Sequence, residues 1–312
     1  MTRSDPDDTD VGDGVASASA TPKSPAGERR RMYEAVHAHP AGESTVARLA
    51  ATAARLGYSG LVIRTRSASN GTDLAAVGDE YGIDVVAGAE IDAADPSAAS
   101  GSVGNFRPDF TVLSVRGGSN ALNRFAVESD RVDVLSAPMA DRGDVNHVLV
   151  KAAVDHGVAI EFDLGPVLRS TGGRRVQALS DLRKLREIVD HYDAPYVVSA
   201  TAASHLELRA PRELRAVGEV IGFDADAIDE GLHAWKRIAD RNRHRLSESF
   251  VEPGVRRGRY ADVECSDGDA GIEDDDAEIR DDAEIRDDDG IGDDDGIGDD
   301  DGTADLGPEV GE

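Results

Sequence analysis

From residue 31 onward, short and fully apolar runs alternate with longer stretches in which apolar side chains recur every three or four positions. The first kind reads as buried strand and the second as amphipathic helix. The clearest unit lies mid-chain, where a run from Val132 to Ser136 stops at Pro138, a residue with no N–H for a sheet ladder. Asp144 then offers an N-cap, and Val145, Val148, Leu149, Ala152 and Ala153 follow at i, i+3, i+4, i+7 and i+8. Gly157 is placed to end the helix, and residues 158–162 supply a second strand. Two strands joined by a helix lie parallel with a right-handed crossover, so the unit is βαβ.

The same alternation extends in both directions. A strand before His37 and His39 leads to a helix over 43–56 that carries Val46, Leu49, Ala50, Ala53 and Leu56 and closes at Gly57. Strands are predicted over 61–63, 83–91, 110–115 and 196–199, and helices around Leu74 to Tyr81, around Leu122 to Ala126, from Val176 to Val189, from Pro211 and from Asp224. Residues 92–107 are small and polar and read as a long surface loop, and Arg169 to Arg175 as a basic turn. Seven strands alternating with helices predict an α/β fold: a TIM-like (β/α) barrel of seven to eight parallel strands, one irregular or missing, with an open doubly wound sheet as the alternative. In both architectures function lies at the carboxyl ends of the strands.

Composition sets the limits of that domain. Residues 1–30 hold almost no large apolar side chain and residues 267–312 repeat acidic blocks, so both are predicted to be disordered tails around a barrel domain at 31–250 and a basic-to-acidic linker at 251–266. The formal net charge is −28, of which −20 falls within residues 267–312. Only 4 of the 34 basic residues are lysine, and Asp outnumbers Glu by 42 to 20. A surface of this kind holds water and salt ions, which fits a salt-loaded cytoplasm such as that of a halophile. The single cysteine, Cys265, permits no intrachain disulfide. No 18-residue apolar span and no signal-peptide core occur, so a soluble cytoplasmic protein without membrane contact is expected.

The strand ends carry the candidate chemistry. Arg64 and Arg66, Arg116, Arg142, Arg169, Arg174, Arg175, Arg209 and Arg212 all follow strands, and His147 and Lys151 lie on the polar stripe of the central helix. Guanidinium forks match phosphate oxygens, so these residues predict a phosphate-binding rim on an acidic molecule; ordinary surface arginines paired with Asp are the alternative. His37, His39 and Glu90 form a possible metal set, resembling the polymerase and histidinol phosphatase family of phosphoesterases. Ala137 stands where that family places a histidine, and the segment Ser199 to His205 lacks an Asp-x-His ending. No P-loop, nucleophile elbow or well-placed dinucleotide fingerprint is present.

Taken together, Asp133-Val-Leu-Ser-Ala-Pro138, Asn146-His-Val-Leu-Val-Lys151, residues 158–168, Val197-Val-Ser-Ala200 and Arg209-Ala-Pro-Arg-Glu-Leu214 resemble the protein component 3 family of archaeal ribonuclease P, over about residues 32–245. The resemblance implies a TIM-like barrel that serves as a noncatalytic subunit of the endonuclease that removes the 5′ leader of precursor tRNA. It implies that RNA with Mg2+ is catalytic, that this chain binds no cofactor, and that its partners are the ribonuclease P RNA, the precursor tRNA and other protein components, especially component 2. On matching positions it points to Arg142, His147, Lys151, Arg209 and Arg212 as RNA or partner contacts. Gly165 stands where a polar or basic residue is expected in the family, and the acidic tail is outside the family pattern.

The Asp-rich, Lys-poor surface generates one expectation: the melting temperature of the full chain rises between low and multimolar KCl. A melting temperature that stays flat or falls over that range refutes the halophilic reading.

Overall fold

The structure is a computed structural model that describes residues 31–141, 143–247, 250–252 and 255–256. Both expected tails, most of the expected linker and Arg142 lie outside the described residues. In chain order the elements are β1 (Tyr33–Val36), α1 (Val46–Leu56), β2 (Gly60–Ile63), α2 (Arg66–Gly71), α3 (Leu74–Tyr81), β3 (Asp84–Ile91), α4 (Pro96–Phe106) and β4 (Val112–Arg116). They continue with α5 (Asn120–Val127), β5 (Val134–Ser136), α6 (His147–His156), β6 (Ala159–Asp163), α7 (Gly165–Arg169), α8 (Gly172–His191), β7 (Tyr196–Ser199), α9 (Pro211–Ile221) and α10 (Ala225–Leu246). A short hairpin of β8 (Phe250–Glu252) and β9 (Val255–Arg256) follows, starting at the last residue of the expected barrel domain and running into the expected linker.

β1 to β7 pair in sequence order, every pair parallel, with Val62 beside Val86, Gly88 beside Val112 and Leu135 beside Ile160. The sheet curls until its two edges meet. There a single parallel bridge joins Val36 to Ala202, and the His37 amide donates to the Ala202 carbonyl at 2.9 Å. The result is a nearly closed TIM-like barrel of seven strands.

Side chains alternate across each strand, so one residue per strand points into the barrel at each level. Ala35, Val62, Val86, Val112, Val134, Ala159 and Val197 form the inner apolar layer, and the larger core fills the space between strands and outer helices. The floor is an unforeseen use of α10. Its pattern of Ile228, Leu232, Trp235 and Ile238 reads as an ordinary outer helix, yet Ala234, Trp235, Ile238 and Ala239 join the interior cluster. Past that face, Asn242 donates to the Thr111 carbonyl at 2.8 Å and to Asp133 at 2.7 Å, and Arg243 grips both oxygens of Asp84 at 2.7 Å. These acceptors sit at the amino ends of the strands, so α10 crosses beneath the barrel and seals it.

Three local expectations are corrected. Residues 92–107 are not a loop: Asp95 accepts from the Ala98 amide at 2.9 Å and Pro96 opens α4, a capped start that outweighs the glycines at 101 and 104. The N-cap of α6 is Asn146, whose Oδ1 takes the amides of Val148 and Leu149. Asp144 lies too early for that role and instead accepts from Lys184 Nζ at 2.7 Å. The basic turn from Arg169 to Arg175 is the end of α7 and the first turn of α8.

Trp235 is fully buried and its indole N–H donates to the Val198 carbonyl at 2.9 Å. Replacing it by Ala opens the floor of the barrel, and a loss of about 3–5 kcal/mol is expected in urea unfolding monitored by far-UV circular dichroism. A loss below about 1 kcal/mol would show that the floor does not hold the barrel.

Candidate nucleic-acid interface

Above the apolar layer, the same inward register brings polar side chains: His37, Arg64, Glu90, Ser114, Ser136, Glu161 and Ser199. Arg64, expected on an outer rim, is 3% exposed and lies at the centre of this layer. Its guanidinium bonds Glu90 at 3.1 Å and also Glu161, while Trp235 supports it from below with the ring centroid 5.0 Å from Cζ. Ser136 donates to Glu90 at 2.6 Å and Ser199 donates to Glu161. Burial opposes the charge on Arg64, but the two carboxylates outweigh it and raise its pKa further. Burial likewise works against ionised Glu90, and Arg64, His37 and Ser136 together hold its pKa below the usual carboxylate value. The pKa of Glu161 is pushed up by burial, with Asp163 adding to the rise and Arg64 opposing it.

The proposed metal set does not assemble around a cation. His37 Nε2 lies 3.5 Å from Glu90 Oε2, but Arg64 already places a positive charge on the other oxygen, and any added cation would face it. Burial lowers the pKa of His37, with Glu90 opposing. His39 is exposed, and its amide donates to the Ser44 carbonyl at 2.8 Å. Among the described residues, no group of three or more His, Cys, Asp or Glu is arranged to hold a metal ion.

At the seam between β1 and β7, Glu34 is completely buried. Its Oε1 accepts from the Ala200 amide at 2.7 Å, and Oε2 lies 3.1 Å from the Tyr58 hydroxyl, which donates to the Arg209 carbonyl at 2.8 Å. Burial raises its pKa to about 8, so at neutral pH the carboxyl keeps its proton. The Tyr58 hydroxyl thus faces two acceptors, the Glu34 carboxyl and the Arg209 carbonyl, and lies closer to the second.

The remaining cations lie outside this core, in different settings. Arg116 ends β4 half-buried within the mouth, close enough to Glu90 and His37 to act on both electrostatically. Arg169 folds back on the carbonyls of Ala200 and Thr201, at 2.7 and 3.3 Å, and Arg209 on those of Leu206 and Leu208, both at 3.0 Å. These two guanidinium groups brace loops. Arg66 is exposed with its guanidinium 4.6 Å from the Phe106 ring centroid. Arg174, Arg175 and Arg212 are exposed in the first turns of α8 and α9.

His147 opens α6, and Lys151, one turn later, sits 5.4 Å from the centroid of Tyr192 at the end of α8. Lys184, His191 and Tyr192 line a groove with His147 between the two helices. Tyr192 and Lys184 are additions to the residues picked from sequence. A charged residue beside an aromatic one on a polar helix gave no periodic signal, because the pairing is made across two helices.

The sequence profile of the family described as RNase P subunit p30 matches residues 32–247, the whole barrel with its sealing helix. The chain belongs to that family. Ribonuclease P protein component 3 of Halorubrum lacusprofundi is 62% identical over 237 residues, covering 73% of this chain and 98% of the relative. The component 3 of Haloarcula marismortui is 57% identical, with 74% and 99% covered, and that of Methanosarcina mazei is 40% identical, with 70% and 92% covered. A chain in a cryo-EM structure of archaeal ribonuclease P with mature tRNA has the same fold, with a TM-score of 0.63 at 23% identity over 73% of this chain and 98% of that one. In this member of the p30 family, residues 267–312 lie beyond the profile match.

Neutral Glu34 generates a pH dependence of stability. Below about pH 4.5 the folded and unfolded states both hold the proton; between there and pH 8 only the folded state does, so stability falls as pH rises. The slope from this one group is at most about 1.4 kcal/mol per pH unit. Glu34→Gln keeps the acceptor and removes the titration, so its urea midpoint should fall less between pH 5 and pH 8 than that of the unaltered chain. Parallel curves for the two proteins would show that Glu34 is already ionised in the seam.

Proposed function

We propose that the chain acts as the component 3 protein subunit of a ribonuclease P, the ribonucleoprotein that removes the 5′ leader from precursor tRNA. The match of the p30 profile to the entire barrel carries this reading. The interior agrees with a noncatalytic role, because its ionisable groups are tied to one another: Arg64 to Glu90 and Glu161, and the two carboxylates to serines. The chemistry then belongs to the RNA with its Mg2+, and the protein supports RNA folding and binding without a cofactor of its own. No described helix is long and apolar enough to cross a membrane, and we place the subunit in the cytoplasm.

We assign RNA contact to exposed residues of the outer helices: His147, Lys151 and Lys184 around Tyr192, with Arg66, Arg174, Arg175 and Arg212. Lysines beside a partly exposed aromatic ring combine a phosphate contact with a surface on which a base can stack. Arg116 is a further candidate at the mouth; Arg64, Arg169 and Arg209 act inside the protein. The family resemblance also makes the component 2 protein the favoured protein neighbour in the particle.

The test is reconstitution with and without this chain. Precursor-tRNA cleavage at limiting Mg2+ should fall when it is left out, and a Lys151→Ala, Arg212→Ala double variant should weaken RNA association and lower its salt slope by about one per lost phosphate contact. Cleavage that is indifferent to omission at every Mg2+ concentration would end this reading.

A further inference from the structure

At one side of the mouth the loop after β5 faces α8 across a cavity of 320 Å³. Along α8, Arg174, Gln177, Ala178, Asp181, Leu182 and Leu185 fall at i, i+3, i+4, i+7, i+8 and i+11, so one stripe of the helix forms a wall that changes from polar to apolar with depth. Pro138 and Met139 form the facing wall, and Glu161 and Asp163 reach the cavity from β6.

The carboxylates there are only half used. Every hydrogen bond given to Glu161 goes to Oε1, from Arg64 and Ser199. Asp163 Oδ1 takes both the Gly165 amide at 2.8 Å and the Thr201 hydroxyl at 2.6 Å. Asp181 Oδ1 takes Gln177 at 2.8 Å. The second oxygen of each has no hydrogen-bond partner among the described residues. Glu161 is already tied to Arg64, and Asp163 and Asp181 face one lining cation, Arg174. A phosphate is repelled here, and so is the backbone that carries a nucleobase.

We propose that this cavity receives an arginine side chain from a partner polypeptide. The methylene stem packs against the proline, methionine and leucine walls, and the guanidinium fork bridges the unpartnered oxygens of Asp163 and Asp181, with Glu161 at the end of the cavity. Arginine fits better than lysine because its planar fork engages two carboxylates at once and is more weakly hydrated. Contact pairing inside a cavity also survives high salt, where the Debye length falls to about 3 Å at 1 M and longer-range attraction is screened. This proposal concerns a protein contact and stands independently of the RNA assignment above.

The experiment titrates the full chain at high KCl with three probes, followed by NMR or calorimetry: a capped Gly-Arg-Gly peptide, the same peptide with norleucine for arginine, and cytidine 5′-monophosphate. The arginine peptide should bind at least tenfold more tightly than the other two, and Asp181→Asn and Asp163→Asn should each weaken it about tenfold. Asp181 lies at the partly exposed lip, so its variant keeps the fold even if Asp163→Asn does not. A photocrosslinker at Ala178 in the reconstituted particle should then attach to an arginine-containing segment of another protein. Preferential binding of the nucleotide, equal binding of the two peptides, or crosslinks to RNA alone would overturn the proposal.

Discussion

A guanidinium sealed inside a barrel cannot shed its proton, so the surrounding strands must supply matching negative charge where it lies. Arg64 imposes that condition here. Its partners come from β3 and β6, the serines that hold those partners come from β5 and β7, and the ring beneath it belongs to α10. Removing one member of such a buried set typically costs about 3–5 kcal/mol, far more than the set contributes relative to an apolar core. The network therefore specifies which strands face one another more than it adds stability. It also ties Glu90 and one oxygen of Glu161 to the cation between them.

Closing a barrel with seven strands leaves a seam with unpaired backbone groups. The seam is bridged at one pair, Val36 and Ala202, and the Ala200 amide beside it is taken by the Glu34 carboxyl in place of a neighbouring strand. A charged carboxylate in that dry position makes no ion pair among the described residues, so burial keeps it protonated, and the hydroxyl of Tyr58 lies between it and the Arg209 carbonyl. The missing strand is thus replaced by a neutral side chain at one level and by α10 below it. Both substitutions bring residues from distant parts of the chain to the same gap.

The exposed cations proposed to meet RNA sit on the outer helices and their first turns, while the mouth is lined on one side by carboxylates. Binding a polyanion would require such a separation in a strongly acidic protein, because repulsion from acidic flanks is offset only by local contact. The arginine count at the strand ends concealed it. Of those residues, Arg64 serves the core, Arg169 and Arg209 brace backbone carbonyls, and Arg66, Arg174, Arg175 and Arg212 remain accessible.

Hydrophobic period and punctuation were enough to determine the seven strands and most of the helices, because those features are local: an apolar run stops at Pro138, and a helix ends at Gly57 or Gly157. The segments Asp133 to Pro138 and Asn146 to Lys151 also carried the family resemblance. The sequence also held a signal that went unread, since Arg64, Glu161 and Asp163 share the inward register of Val62 and Ala159 and so had to face the barrel interior. The helix at 96–106 escaped because its glycines mask a capped start. Only the tertiary structure decided that α10 is a floor rather than a wall, that Glu34 fills a seam, and that Lys151 meets Tyr192. Each of those depends on two segments far apart in the chain meeting at one place, and the spacing of side chains along a single segment holds no record of what the fold brings opposite it.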